Sequence, residues 1–133
     1  MSQIQELHRQ AIDLAELAST KKLKGDLEQA GLLLRQAFEK ETKAATLLAD
    51  NLSAEPTRSI LHRSAASLAV DCGEFQAADR LIATALSGNP PQEIAEELKD
   101  LFIRINLRHY FERRGISFDE EKLTSLTLER QFG

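Results

Sequence analysis

Three histidines, one cysteine and a run of arginines are the residues here whose types suit chemistry. His8, His62 and His109 fall in three separate stretches, and none has a second His or Cys at metal-ligand spacing. His8 stands beside Glu6 and Arg9 on a polar flank, and His62 borders an apolar stripe, so surface or hydrogen-bonded structural roles are expected. Cys72 directly precedes Gly73 at the end of an apolar segment. That is the negative end of a helix, where a thiol loses acidity and nucleophilicity, and a small buried packing residue is the expectation. No G-x-x-x-x-G-K or G-x-G-x-x-G phosphate loop occurs. The carboxylates of "EIAEELKD" and "FDEE" read as helix starts and solvated faces, with nothing resembling an enclosed acid/base pair. A non-enzyme without cofactor or metal is expected.

The stretch "RINLRHYFERR" gathers Arg104, Arg108, Arg113 and Arg114 with His109, Tyr110 and Phe111. Such a cluster can contact phosphates and stack bases. It can equally offset upstream acids and crown the negative end of a helix. The net charge of −4 weighs against nucleic acid, and an acidic protein partner fits at least as well.

These side chains need elements to hold them, and composition narrows the choice. Aromatic content is 5% with no Trp, so a core must come from Leu, Ile and Ala, and abundant Ala implies close helix contact. A single Cys rules out an internal disulfide and suits a reducing compartment. No apolar run approaches the roughly 20 residues of a membrane span. The opening "MSQIQELHRQ" lacks the basic-then-apolar character of a signal segment. A cytoplasmic protein without membrane contact is expected.

Apolar spacing of three and four then predicts five helices. The first covers about residues 3 to 23, with Ile4, Leu7, Ala11, Leu14, Leu17 and Ala18 on one face, Ser2 as its cap and Gly25 as its stop. The second runs from near Asp26 to about Asn51 and buries Leu27, Ala30, Leu33, Leu34, Ala37, Phe38, Ala44, Ala45 and Leu48. The third, capped by Ser53, presents Ile60, Leu61, Ala65, Leu68, Ala69 and Cys72 and ends at Gly73. The fourth presents Phe75, Ala78, Leu81, Ile82 and Ala85 and ends at Gly88. The fifth starts in "NPPQE" with Asn89 as cap and Pro90 in its first turn, and extends toward Gly115. The chain thus divides into a helical domain, residues 1–115, and a tail, residues 116–133. In the tail "LTSLTLERQF" alternates, as a short strand, a loosely packed arm or the start of a further domain would.

Residues 25–37, "GDLEQAGLLLRQA", and 73–85, "GEFQAADRLIATA", share glycine, acid, large apolar residue and two alanines seven apart. Each marks a helical hairpin: the glycine turns the chain, Leu27 or Phe75 plugs the corner, and the alanines admit a neighbouring helix. The unit resembles the tetratricopeptide repeat, a stacked helix-turn-helix. Ala65, Ala66, Gly73, Phe75, Ala78, Ile82, Ala85 and Pro90 occupy that family's positions in the second unit, while His62 and Ala69 depart from its large aromatic ones. The glycines lie 48 residues apart, against about 34 in the family. The long second helix is also similar to the MIT domain, a three-helix bundle. Either resemblance implies an all-α stack, here a short right-handed superhelix of antiparallel hairpins.

What the tetratricopeptide resemblance implies is a concave groove lined by the first helix of each pair. Its positions fall on Ala15, Glu16, Ser19 and Lys22, and on Arg63, Ser64, Ser67 and Val70. The family's carboxylate clamp is not expected, because the second unit offers Arg63 as its single groove cation and no groove Asn is present. The implied function is a non-catalytic adaptor that binds a peptide or helix. A helical oligomerisation or regulatory module is the alternative, using the exposed length of the second helix. Nucleic-acid binding through residues 104–114 is the third.

Overall fold

The computed structural model of the chain describes residues 2–115; the tail, residues 116–133, lies outside the described residues. Five helices follow one another: α1 (Ser2–Leu23), α2 (Leu27–Leu48), α3 (Thr57–Asp71), α4 (Phe75–Leu86) and α5 (Gln92–Arg113). No strand occurs among the described residues. The fold is all-α. α1 packs along α2, α2 against α3, α3 against α4, and α5 lies more lightly across α3 and α4.

Gly25 and Gly73 take φ of +84° and +76°, the left-handed turn each hairpin requires. Beyond Gly25, Asp26 caps α2 by accepting a hydrogen bond from the Gln29 N–H at 3.2 Å. The core is built on alanine. Ala37, Ala44, Ala45, Ala65, Ala66, Ala69, Ala78 and Ala85 are all 0% exposed, joined by Ile82, Leu98 and Ile105. With only a methyl group at each of these alanine positions, helix backbones can approach closely.

Three expectations need correction. Ser53 does not cap α3; its hydroxyl donates to the Asn51 side chain at 2.8 Å. Glu55 caps instead, its carboxylate accepting from the Ser59 N–H at 3.0 Å and from the Ser59 hydroxyl. A glutamate one residue outside the cap position has the reach to satisfy an orphan N–H of the first turn. The Glu55–Pro56 bond is cis. Asn89 and Pro90 do not open α5, which begins at Gln92 behind Pro91 (ψ 150°). Two consecutive prolines force the first of them out of the helical region, so the helix starts one step later.

The third correction concerns the corners. Phe75 is half-buried and meets His109 edge-on, ring centroids 5.2 Å apart at 84°. Its counterpart Leu27 is 66% exposed, and Leu17 is exposed too. Helix lengths explain the difference. At about 1.5 Å per residue, α5 with 22 residues reaches back over Phe75, whereas α3 with 15 stops short of the Leu27 corner. The α1–α2 hairpin therefore overhangs the stack.

Two charged residues lie in the core and organise it. Arg58, in the first turn of α3, is 1% exposed. Its guanidinium donates to the carbonyls of Ala49 (2.9 Å), Ala85 (3.3 Å) and Thr84 (2.8 Å), at the ends of α2 and α4. A cation there meets two negative helix termini at once. Glu41 on α2 is also 1% exposed, with both carboxylate oxygens 2.9 Å from Nδ1 of His8 on α1. His8 thus turns from the polar flank toward the hairpin interface. Truncating it with His8→Ala leaves Glu41 buried without this partner and is expected to cost about 2 kcal/mol of stability, read by urea denaturation. Adding Glu41→Leu to that variant is expected to restore most of the loss, since the uncompensated carboxylate is then gone.

Candidate functional site

The groove residues expected from the sequence separate into two clefts. The first lies between α3 and α5 and encloses about 430 Å³. α3 contributes Arg63, Ser64 and Ser67, each within one turn of the next; α5 contributes Glu97, Asp100, Leu101 and Arg104. The opposite flank of α3, with Ala65, Ala66 and Ala69, is in the core, so these polar residues are left facing outward. Across the cleft, Arg63 Nη1 donates to Glu97 Oε2 at 2.6 Å. Arg63 is therefore braced by a carboxylate and is not the groove's uncommitted cation. Arg104 is a better candidate. Its Nε is buried and has no hydrogen-bond partner. A buried N–H in that condition costs about 1–3 kcal/mol until something accepts from it.

The second cleft, about 380 Å³, sits at the overhanging hairpin. Ser19 and Lys22 of α1 line it with Leu27, Gly31 and Leu34 of α2 and Asp71 of α3. Asp71 joins the two clefts electrostatically. Desolvation raises its carboxyl above the ordinary value, while Lys22 and Arg104 pull it back down. Of the other expected residues, Val70 is half-buried against the core, and Glu16 is exposed on α1 outside both clefts.

The four arginines of α5 do not form one basic face. Arg104 turns into the α3–α5 cleft, Arg108 Nε donates to Glu112 at 3.2 Å, and Arg114 lies over the Tyr110 ring at 4.9 Å. Arg113 is exposed in the last turn. Tyr110 and Phe111 contact each other edge-on at 5.7 Å.

The residues first suspected of chemistry are accounted for by their surroundings. His62 is 1% exposed and its Nδ1–H donates to the Arg58 carbonyl at 2.7 Å. Burial lowers its pKa and favours the neutral ring, an effect that the bond to the Arg58 carbonyl opposes. Cys72 closes α3, its N–H bonded to the carbonyls of Leu68 and Ala69. Burial raises its thiol pKa, the carboxylates of Asp71, Glu74 and Glu39 add to this, and Arg35 opposes it. Among the described residues no three His, Cys, Asp or Glu side chains are placed to hold a metal ion, and no helix is long and apolar enough to cross a membrane.

Sequence reasoning missed Glu41 and Arg58 as core features and named Arg104 in the 104–114 cluster without its place in the α3–α5 cleft. Glu41 stands four residues after Ala37 and four before Ala45, so the helical period itself puts it on the buried stripe. Arg104 was legible only as one of a charge cluster. Arg58 had no local signal, because its partners come from 9 to 27 residues away.

No protein-family model, curated protein or solved structure matches this chain.

Proposed function

We propose that this protein is a non-catalytic adaptor that binds a protein segment, a peptide or a helix, in the α3–α5 cleft of a tetratricopeptide-like stack. The observation that carries the reading is Arg104: a guanidinium N–H buried at the cleft wall, unpaired, beside a ready-made row of Ser64 and Ser67 hydroxyls. An incoming backbone carbonyl or side-chain oxygen would satisfy it. The surrounding charges are mixed, with Arg63 and Arg104 against Glu97 and Asp100, which suits polar recognition at a few anchors over broad electrostatic capture.

The test is selection from a random peptide library on the immobilised full chain. Peptides enriched on the wild type are expected to lose at least about tenfold in affinity against Ser67→Arg, which fills the cleft, and against Arg104→Ala. Ser67 is exposed, so thermal unfolding of Ser67→Arg is expected to match wild type. Equal binding to both variants, or no enrichment at all, overturns the reading.

A further inference from the structure

A third cleft lies on the other side of α5, against α4. It encloses about 350 Å³ and is lined entirely by apolar surface from Ile82, Ala83, Leu86, Lys99, Phe102 and Ile103. Phe102 and Ile103 are 44% and 45% exposed there. An outward stripe of α5 runs past the cleft. Glu96, Lys99, Ile103, Tyr110 and Arg114 follow one another at helical intervals of three, four, seven and four residues, and all are exposed. The stripe is acidic at its start, apolar in the middle and cationic at its end. No helix among the described residues covers it.

We propose that this stripe pairs with the same stripe of a second copy of the chain, the two α5 helices lying antiparallel about a twofold axis at Ile103. Charge complementarity selects the occupant. Glu96 stands seven residues before Ile103 and Tyr110 seven after it. An axis at Ile103 therefore sets Glu96 of each copy opposite Tyr110 of the other. Arg114, whose guanidinium lies 4.9 Å over the Tyr110 ring, is one turn beyond and on the same flank. Glu93 adds to the acidic start and Arg113 to the cationic end; both are exposed. A parallel pair would instead set like charges together. Arg104 and Arg108 take no part, since the first lines the α3–α5 cleft and the second is paired with Glu112.

The strength of the pairing follows from its size. α5 has 22 residues. It is thus about 33 Å long and about 10 Å across, a strip of roughly 330 Å² per copy against the ~800 Å² of a standard interface. The dimer is accordingly weak and reversible. Ion pairs at a wet rim add little energy and mainly fix orientation, so affinity comes from covering Phe102, Ile103 and the apolar hollow beside them. The inference concerns the α4–α5 side and stands independently of the α3–α5 groove.

Sedimentation equilibrium of the full chain tests it. The weight-average mass of the wild type is expected to rise by about half between about 10 μM and about 1 mM, as a Kd on the order of 100 μM demands. Ile103→Asp is expected to hold the monomer mass throughout. Glu96→Arg and Arg114→Glu are each expected to associate at least about fivefold more weakly, because each sets like charges together. Mixed in equal amounts, these two variants are expected to regain wild-type association, since every charge at position 96 then faces its opposite at position 114. All three substitutions are at exposed positions, and circular dichroism is expected to show unchanged helix content. A wild type that stays monomeric at about 1 mM overturns the proposal and leaves the stripe to a different protein. A mixture no stronger than its two components overturns the antiparallel pairing.

Discussion

Replacing Arg58 by Met is expected to destabilise the protein by about 3 kcal/mol, a large share of the 5–15 kcal/mol that holds a domain of this kind together. The substitution preserves bulk and removes all three donors. Three carbonyls, from Ala49, Thr84 and Ala85, then lose their partner, the last of them in the interior. Two helix C-termini lose the one cation between them as well. Arg58→Lys is expected to recover less than half, because one ammonium on a flexible stem cannot fork across carbonyls of two helices. Urea unfolding followed by circular dichroism reads both. A loss under 1 kcal/mol for the methionine variant would show that the guanidinium is not a tie between hairpins. Gly88 belongs to the same device: a Cβ there would stand 2.9 Å from Arg58 Cζ and 3.2 Å from Leu52 Cδ2. The glycine read from the sequence as a helix stop is in fact the space in which the guanidinium sits.

That difference marks where the sequence is legible. Helix existence followed from apolar spacing, and the two hairpin glycines from their position after it; both depend on neighbours along the chain. Arg58, Gly88 and the His8–Glu41 pair depend on residues brought together from different helices, 33 apart in the last case. No period along one helix contains that information. The corner residues show the same boundary. Leu27 and Phe75 occupy equal places in the repeated stretch, yet their burial is decided by the lengths of α3 and α5, which lie elsewhere. The groove divided for this reason too: Ser19 and Lys22 are beside the overhang, and Arg63 and Ser67 beside α5.

Ala66→Leu is the second change expected to act strongly, at about 3 kcal/mol, through overpacking. Ala66 is 0% exposed in a core whose contact positions on α2, α3 and α4 are filled mostly by alanine. Three additional carbons have nowhere to go unless the helices move apart. The expected signature is a lower urea midpoint with an unchanged slope, since the same surface is exposed on unfolding. Ala66→Ser, nearly equal in size, is expected to lose less, with the hydroxyl free to bond a carbonyl one turn back. If leucine is accommodated with full stability, close helix approach is not what the alanines provide.

The overhang of α1 and α2 beyond α3 carries a consequence in time as well as in space. The turn around Gly25 and the residues flanking it, Leu23 and Leu27 among them, have few buried contacts to lose when they open. Local opening free energy follows such contacts, so this end samples alternative arrangements far more often than the alanine core does. The Ser19–Lys22 cleft is built on that end. It is thus a surface whose shape fluctuates, able to be selected in one of several forms by whatever meets it.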